Sequence, residues 1–156
     1  MDNSQIEFIG SSNIVKANQV KFLLNYVLSE KEELLAIFED IKENRSINPT
    51  HGLIEESNIY ILTIKKIVNI ILKENEEIIK TIPLNLVVGT KIERTDLSDS
   101  DDQHYKSANR IKNVEIDLKD SEPIIFNILE NNGHYNKQTL KEKSLEFINK
   151  LNQINI

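Results

Sequence analysis

The sequence predicts an α+β domain that is predominantly helical and carries a small antiparallel sheet. Three observations predict it. Apolar residues recur at helical spacing through most of the chain up to Ile82. The period then drops to two near residues 84–94 and again near 113–119. A final helical stripe runs through Leu140, Leu145, Ile148 and Leu151.

The chain opens with Gln5-Ile6-Glu7-Phe8-Ile9, an alternating segment that suits a short strand over 5–9 and is stopped by Gly10-Ser11-Ser12. Ser12 or Asn13 can cap a helix reaching Leu28, with Val20, Leu23, Leu24, Val27 and Leu28 on its buried side. Ser29 and Glu32 fit a capping box for a second helix to about Asn44. Its stripe is Leu34, Ile37, Phe38 and Ile41, and Glu30, Glu33, Glu39, Asp40 and Glu43 fall on its wet side. A loop over 44–52 leads to a third helical pattern from Leu53 to Ile82, carried by Ile61, Ile64, Val68, Ile71 and Leu72. Residues 58–64 are rich enough in β-branched side chains to suit a strand as well, but length favours the helix.

After Pro83, Leu84, Leu86, Val88 and Ile92 share one parity, as do Val114, Ile116 and Leu118. These are two half-buried strands that suit antiparallel pairing. Between them lies a long polar loop over 95–112. Residues 122–130 fit a helix entered through Pro123, with Ile-Ile-Phe-Asn-Ile-Leu as a strand in competition. A last helix spans about 137–153, with Thr139 and Glu142 in a capping box. The predicted core is Val20, Leu24, Val27, Leu34, Phe38, Ile64, Val68, Ile71, Leu86, Val88, Ile116, Ile128, Leu145 and Ile148. One domain over 1–156 is expected from the length and the lack of a dividing linker.

Composition narrows the function classes. There is no cysteine, so disulfides, thiolate metal sites and cysteine nucleophiles are excluded. The apolar-rich stretch 59–72 is interrupted by Lys65, Lys66 and Asn69, which does not suit a membrane span. No signal-peptide pattern opens the chain, so the expected compartment is the cytoplasm. The net charge is −6, and no basic stripe suited to duplex phosphates stands out. No cofactor loop or nucleophile elbow is found, and no cofactor or metal is expected.

Four patterns bear on chemistry. Glu115, Asp117 and Lys119 alternate along a strand and so share a side, as the carboxylates and lysine of Mg²⁺-dependent nucleases do, but no second carboxylate–lysine strand follows. Arg45 and His51 are separated by Pro49, which denies them a shared helix face. Asp96, Asp99, Asp101 and Asp102 form an acidic loop with His104 and Tyr105 close behind; the spacing fails a Ca²⁺ loop but suits a basic protein surface. Residues 123–151 read as a helix-turn-helix whose Lys137, Lys141, Lys143 and Lys150 face DNA, although Glu142 and Glu146 are interleaved with them.

The expectation that follows is a non-catalytic protein-binding module of bacterial or phage origin. Small acidic inhibitors such as immunity proteins share its size and charge, an analogy at the level of class only. The expected contact surface joins Asp96, Asp99, Asp101, Asp102, His104 and Tyr105 to Glu39, Asp40 and Glu43 of the second helix, and the expected partner is another protein with a basic surface. A metal-dependent nuclease using Glu115, Asp117 and Lys119, and a DNA-binding regulator using the C-terminal helices, are the alternatives.

Overall fold

The computed structural model describes residues 14–48, 52–94, 111–128 and 137–154. In order, the described elements are helix α1 (Ile14–Leu24), strands β1 (Ala36–Asn48), β2 (Gly52–Leu62), β3 (Lys66–Lys73) and β4 (Glu76–Pro83), a single 3₁₀ turn (Leu84–Leu86), strands β5 (Val87–Arg94), β6 (Ile111–Leu118) and β7 (Ile124–Asn127), and helix α2 (Lys137–Ile154). Strands β1 to β4 form one antiparallel meander, and β5 to β7 form a second. The described chain is therefore mostly β, which overturns the expectation of a predominantly helical domain.

The correction falls on three segments. The second helix, expected over 29–44, is a loop followed by β1. The third, expected over 53–82, is the three strands β2, β3 and β4. Residues 124–127, read as helix, are β7. The last change also removes the first helix of the proposed helix-turn-helix. Other elements lie where expected: α1 and α2 are helices, and β5 pairs antiparallel with β6. The possible strand over 5–9 and most of the 95–112 loop lie outside the described residues.

The reason for the misreading is two-sided burial. A strand with water on one face alternates polar and apolar, but a strand covered on both faces reads as a continuous apolar run. All of Ala36 to Ile41 is buried, and β3 is buried at Ile67, Val68, Asn69, Ile70 and Leu72. In such runs, residues one helical turn apart are apolar by default. Local chemistry closes the turns without glycine. Thr63 Oγ1 accepts from the backbone N–H groups of Lys65 and Lys66, both at 3.1 Å, and donates to the Lys66 carbonyl at 3.2 Å, which fixes the β2–β3 turn. Glu74 and Asn75 alone separate the paired ends Lys73 and Glu76 of β3 and β4. Between β6 and β7, Asp120 takes a left-handed φ of 57°, a conformation that Asp tolerates better than most residues.

The first sheet divides two apolar cores. On one face, Ile37, Ile59, Ile61, Val68 and Ile70 pack against Val20, Leu23 and Leu24 of α1. On the other, Ala36, Phe38, Leu62 and Ile67 meet Val114, Ile116 and Phe126 of the second sheet and Leu140, Phe147 and Leu151 of α2. Phe126 joins all three layers. Its ring stacks on Phe38 at 4.4 Å, lies 5.1 Å from Tyr60, and meets Phe147 edge-on at 5.0 Å.

Of the predicted core, Val20, Leu24, Leu34, Phe38, Val68, Ile116, Ile128 and Ile148 are buried, whereas Ile64 and Val88 are exposed. Val27, Ile71, Leu86 and Leu145 are half-buried. Ile64 sits in the β2–β3 turn, and Val88 falls at an irregularity in the β5–β6 register. Neither proposed capping box forms. The Glu32 side chain reaches Lys66, and Thr139 lies inside α2.

Removing the Phe126 ring empties the place where three layers meet. Phe126→Ala is expected to cost about 3–5 kcal/mol, read as a lowered urea midpoint. A loss below about 1 kcal/mol would show that the sheets do not depend on this ring.

Candidate functional site

Helix α1 is apolar on two sides. Its inner side carries Ala17, Val20, Leu23 and Leu24, all buried against the first sheet. Its outer side carries Val15 and Phe22, with Tyr26 in the turn that ends the helix; these are 72%, 61% and 71% exposed. The Phe22 and Tyr26 rings meet edge to face at 5.7 Å. Exposed Asn18 and Asn25 lie on the same outer side; a surface helix ordinarily has a polar outer side, so three large exposed apolar side chains among them need a cause.

Polar contacts fix which side of α1 faces the sheet. Lys16 points inward and is 9% exposed. Its Nζ donates to Ser57 Oγ of β2 at 2.8 Å and lies 3.4 Å from Glu39 Oε2 of β1. Glu39 is fully buried on the same sheet face as Ile37 and Ile41. Beyond the other end of the helix, Lys66 Nζ donates to the Val27 carbonyl in the turn that follows α1. The same ammonium lies 3.5 Å from the buried Glu32 carboxylate. Outside the sheet contact, Gln19 Nε2 donates to the Glu77 carboxylate of β4.

Of the expected site residues, Glu39, Asp40 and Glu43 fall among the described residues. Glu39 and Asp40, read as the wet side of a helix, are both buried in β1 and point to opposite faces of the sheet, so neither offers an exposed docking group. Glu43 lies in β1 opposite Glu55. Asp96, Asp99, Asp101, Asp102, His104 and Tyr105 lie outside the described residues, as does His51.

Asp40 instead belongs to a polar contact between the sheets. Asn127 Nδ2 of β7 donates to Asp40 Oδ2 at 3.1 Å. Burial, and secondarily the Asp40 charge, push the Tyr60 hydroxyl from 10 up to about 12. Beside it across the strands is Asn69, whose buried Oδ1 accepts no hydrogen bond from the described residues. Glu115 and Asp117 are half-buried on β6, while Lys119 stands exposed in the turn beyond that strand. Among the described residues, no group of three or more His, Cys, Asp or Glu is placed to hold a metal. A shallow concavity of about 400 Å³ lies along the start of β5, lined by Leu84, Asn85, Val87, Thr90 and Asn152 among others, and holds no titratable side chain. No described helix is long and apolar enough to cross a membrane.

The sequence reading found the inner stripe of α1 and missed the outer one. Val15, Phe22 and Tyr26 were legible as a second stripe on the same helix; burial of the first side is what makes them conspicuous. No protein-family model, curated protein or solved structure matches the chain.

Two outcomes follow from these contacts. Lys16→Met leaves Glu39 buried without its cation and is expected to cost about 3–5 kcal/mol, while adding Glu39→Leu should recover most of that loss. Urea melts of the single and double variants measure both; equal loss in the two would show that the ion pair does not hold α1. For Tyr60, the folded state keeps its proton to a higher pH than the unfolded state. Its contribution is therefore fully present below pH 10 and is lost as pH rises through about 12. Tyr60→Phe should flatten the fall in stability over that window, with phenolate absorbance as the direct readout.

Proposed function

We infer that this chain is a cytoplasmic, non-catalytic protein-binding module that docks a basic partner through the outer side of α1. The observation that carries this reading is the exposed group Val15, Phe22 and Tyr26 on a helix whose opposite side is pinned to the first sheet. Exposed apolar clusters with polar borders mark interaction surfaces, and aromatic side chains supply much of the binding energy at such surfaces. The pinning matters because a surface already ordered loses less entropy on binding.

The charge supports the choice of partner. The chain carries −6 overall, and long-range attraction raises the encounter rate with a positively charged protein. Near the helix, Glu77 bonds to Gln19, and Glu30 and Glu33 are exposed just after the Tyr26 turn. Relative to the sequence expectation, the docking group moves from Glu39 and Asp40, which are interior, to α1.

The test is a paired capture. Because Phe22 and Tyr26 face solvent, Phe22→Ser/Tyr26→Ser should change stability by no more than about 0.5 kcal/mol per site. The original chain is expected to retain a basic protein from its host at low salt and to release it at high salt, and the double variant is expected to lose it. Retention of the same proteins by both chains would remove α1 as the docking surface.

A further inference from the structure

Along α1 and its terminal turn, Val15, Gln19, Phe22 and Tyr26 stand four, three and four residues apart. Alternating steps of four and three keep side chains in one line on a helix, which is the spacing of a seam along which a second helix packs. From Val15 to Phe22 the line covers about two helical turns, or roughly 10 Å at about 1.5 Å per residue, and Tyr26 follows in the turn beyond the helix.

The seam has a polar position at its middle, and that position carries a sign. Gln19 donates to the Glu77 carboxylate, so a negative charge from β4 lies beside the line of apolar side chains. Glu77 is exposed and shares with Leu72, its partner across the strands, the sheet face that α1 covers. Glu30 and Glu33 add exposed negative charge after the helix. Against these stand Lys31, exposed between Glu30 and Glu33, Lys21, half-buried beside Phe22, and Lys16, whose charge is engaged beneath the helix. A ligand for this face must be apolar along one stripe and positive beside it.

We propose that the outer side of α1 takes an amphipathic helix from a partner protein, apolar at its a and d positions, with a Lys or Arg beside that stripe that pairs with Glu77. This rests on the protein-binding reading above and names the class of partner. A second copy of this chain fits the face less well. Two chains of charge −6 would bring like carboxylates together on this face. A separate helix can lie along the seam and reach Glu77 with a long basic side chain.

The experiment uses the full isotope-labelled chain and three synthetic peptides of about three heptads. One has Leu at a and d and Lys at the flanking e and g positions. The second replaces those Lys with Glu. The third has the composition of the first in an order that breaks the seam. The Lys-flanked peptide is expected to shift the amide resonances of Val15 to Tyr26 and to bind at least about tenfold more tightly than the other two at low salt. In the Glu77→Lys variant, the preference between Lys and Glu flanks should reverse. Binding of the shuffled peptide as tightly as the first, indifference to the flanking charge, shifts centred away from α1, or no binding by any peptide would each overturn the proposal.

A photo-crosslinking residue at position 22, used in host cells, separates this failure from that of the underlying reading. Crosslinks to a helix of a basic partner support the proposal. Crosslinks to a strand or loop of a partner sink the helical ligand but leave the protein-binding reading standing. Crosslinks to a second copy, to residues 1–13 of the same chain, or to nothing sink both.

Discussion

Burial on both faces of the middle of the first sheet, in β1, β2 and β3, governs the rest of this structure, while β4 at its edge has no buried residue. A sheet covered once can keep its charges in water by alternating polar and apolar residues. A sheet covered twice cannot, because every strand position points into a core. Strand β1 shows the consequence. Its six residues from Ala36 to Ile41 are all buried, and two of them are acidic. A buried carboxylate is tolerable only beside a cation or good donors. Glu39 therefore comes with Lys16 from above the sheet, and Asp40 comes with the Asn127 amide from below. The two covering layers are tied to the sheet by the same pair of adjacent residues.

The same constraint explains how much of the fold the sequence disclosed. Helices α1 and α2 were legible because each has one strong inner stripe at helical spacing. The β5–β6 pair was legible because Val114 and Ile116 alternate with half-buried polar residues such as Glu115 and Asp117. Strands β1 to β4 were not. Leu34, Ile37, Phe38 and Ile41 fit a helical stripe by accident, since a run of buried residues offers an apolar side chain at almost any period. Even the capping signal misled. Ser29 and Glu32 stand in the right relation for a helix start, but the Glu32 backbone N–H bonds to the Ser29 carbonyl in a turn, and its carboxylate goes to Lys66. The β3–β4 reversal offered no glycine to announce it, only Glu74-Asn75.

The candidate face was hidden for a related reason. Periodicity reports that a side of a helix is apolar but is silent on which of two apolar sides the protein covers. Val20 and Leu24 were read as core and are buried; Phe22 and Tyr26 lie on the same segment and are exposed. Local sequence cannot make that choice. It depends on Glu39 and Ser57, which are brought under α1 only when the first sheet has formed.

That dependence gives the buried ion pair its significance. Apolar contact is non-directional, so a helix apolar on two sides has little reason to seat one side and not the other. Rotating α1 by half a turn would still bury Phe22 and Val15 against Ile59 and Ile70. It would also carry Lys16 into solvent and leave Glu39 without its cation, at a cost of about 3–5 kcal/mol. A hydrogen bond from Lys16 to Ser57 holds the helix in this orientation, and another from Lys66 to the Val27 carbonyl ties down the turn that follows it. The polar contacts in the interior therefore act on the exterior: by deciding what α1 buries, they decide that Val15, Phe22 and Tyr26 are what it displays.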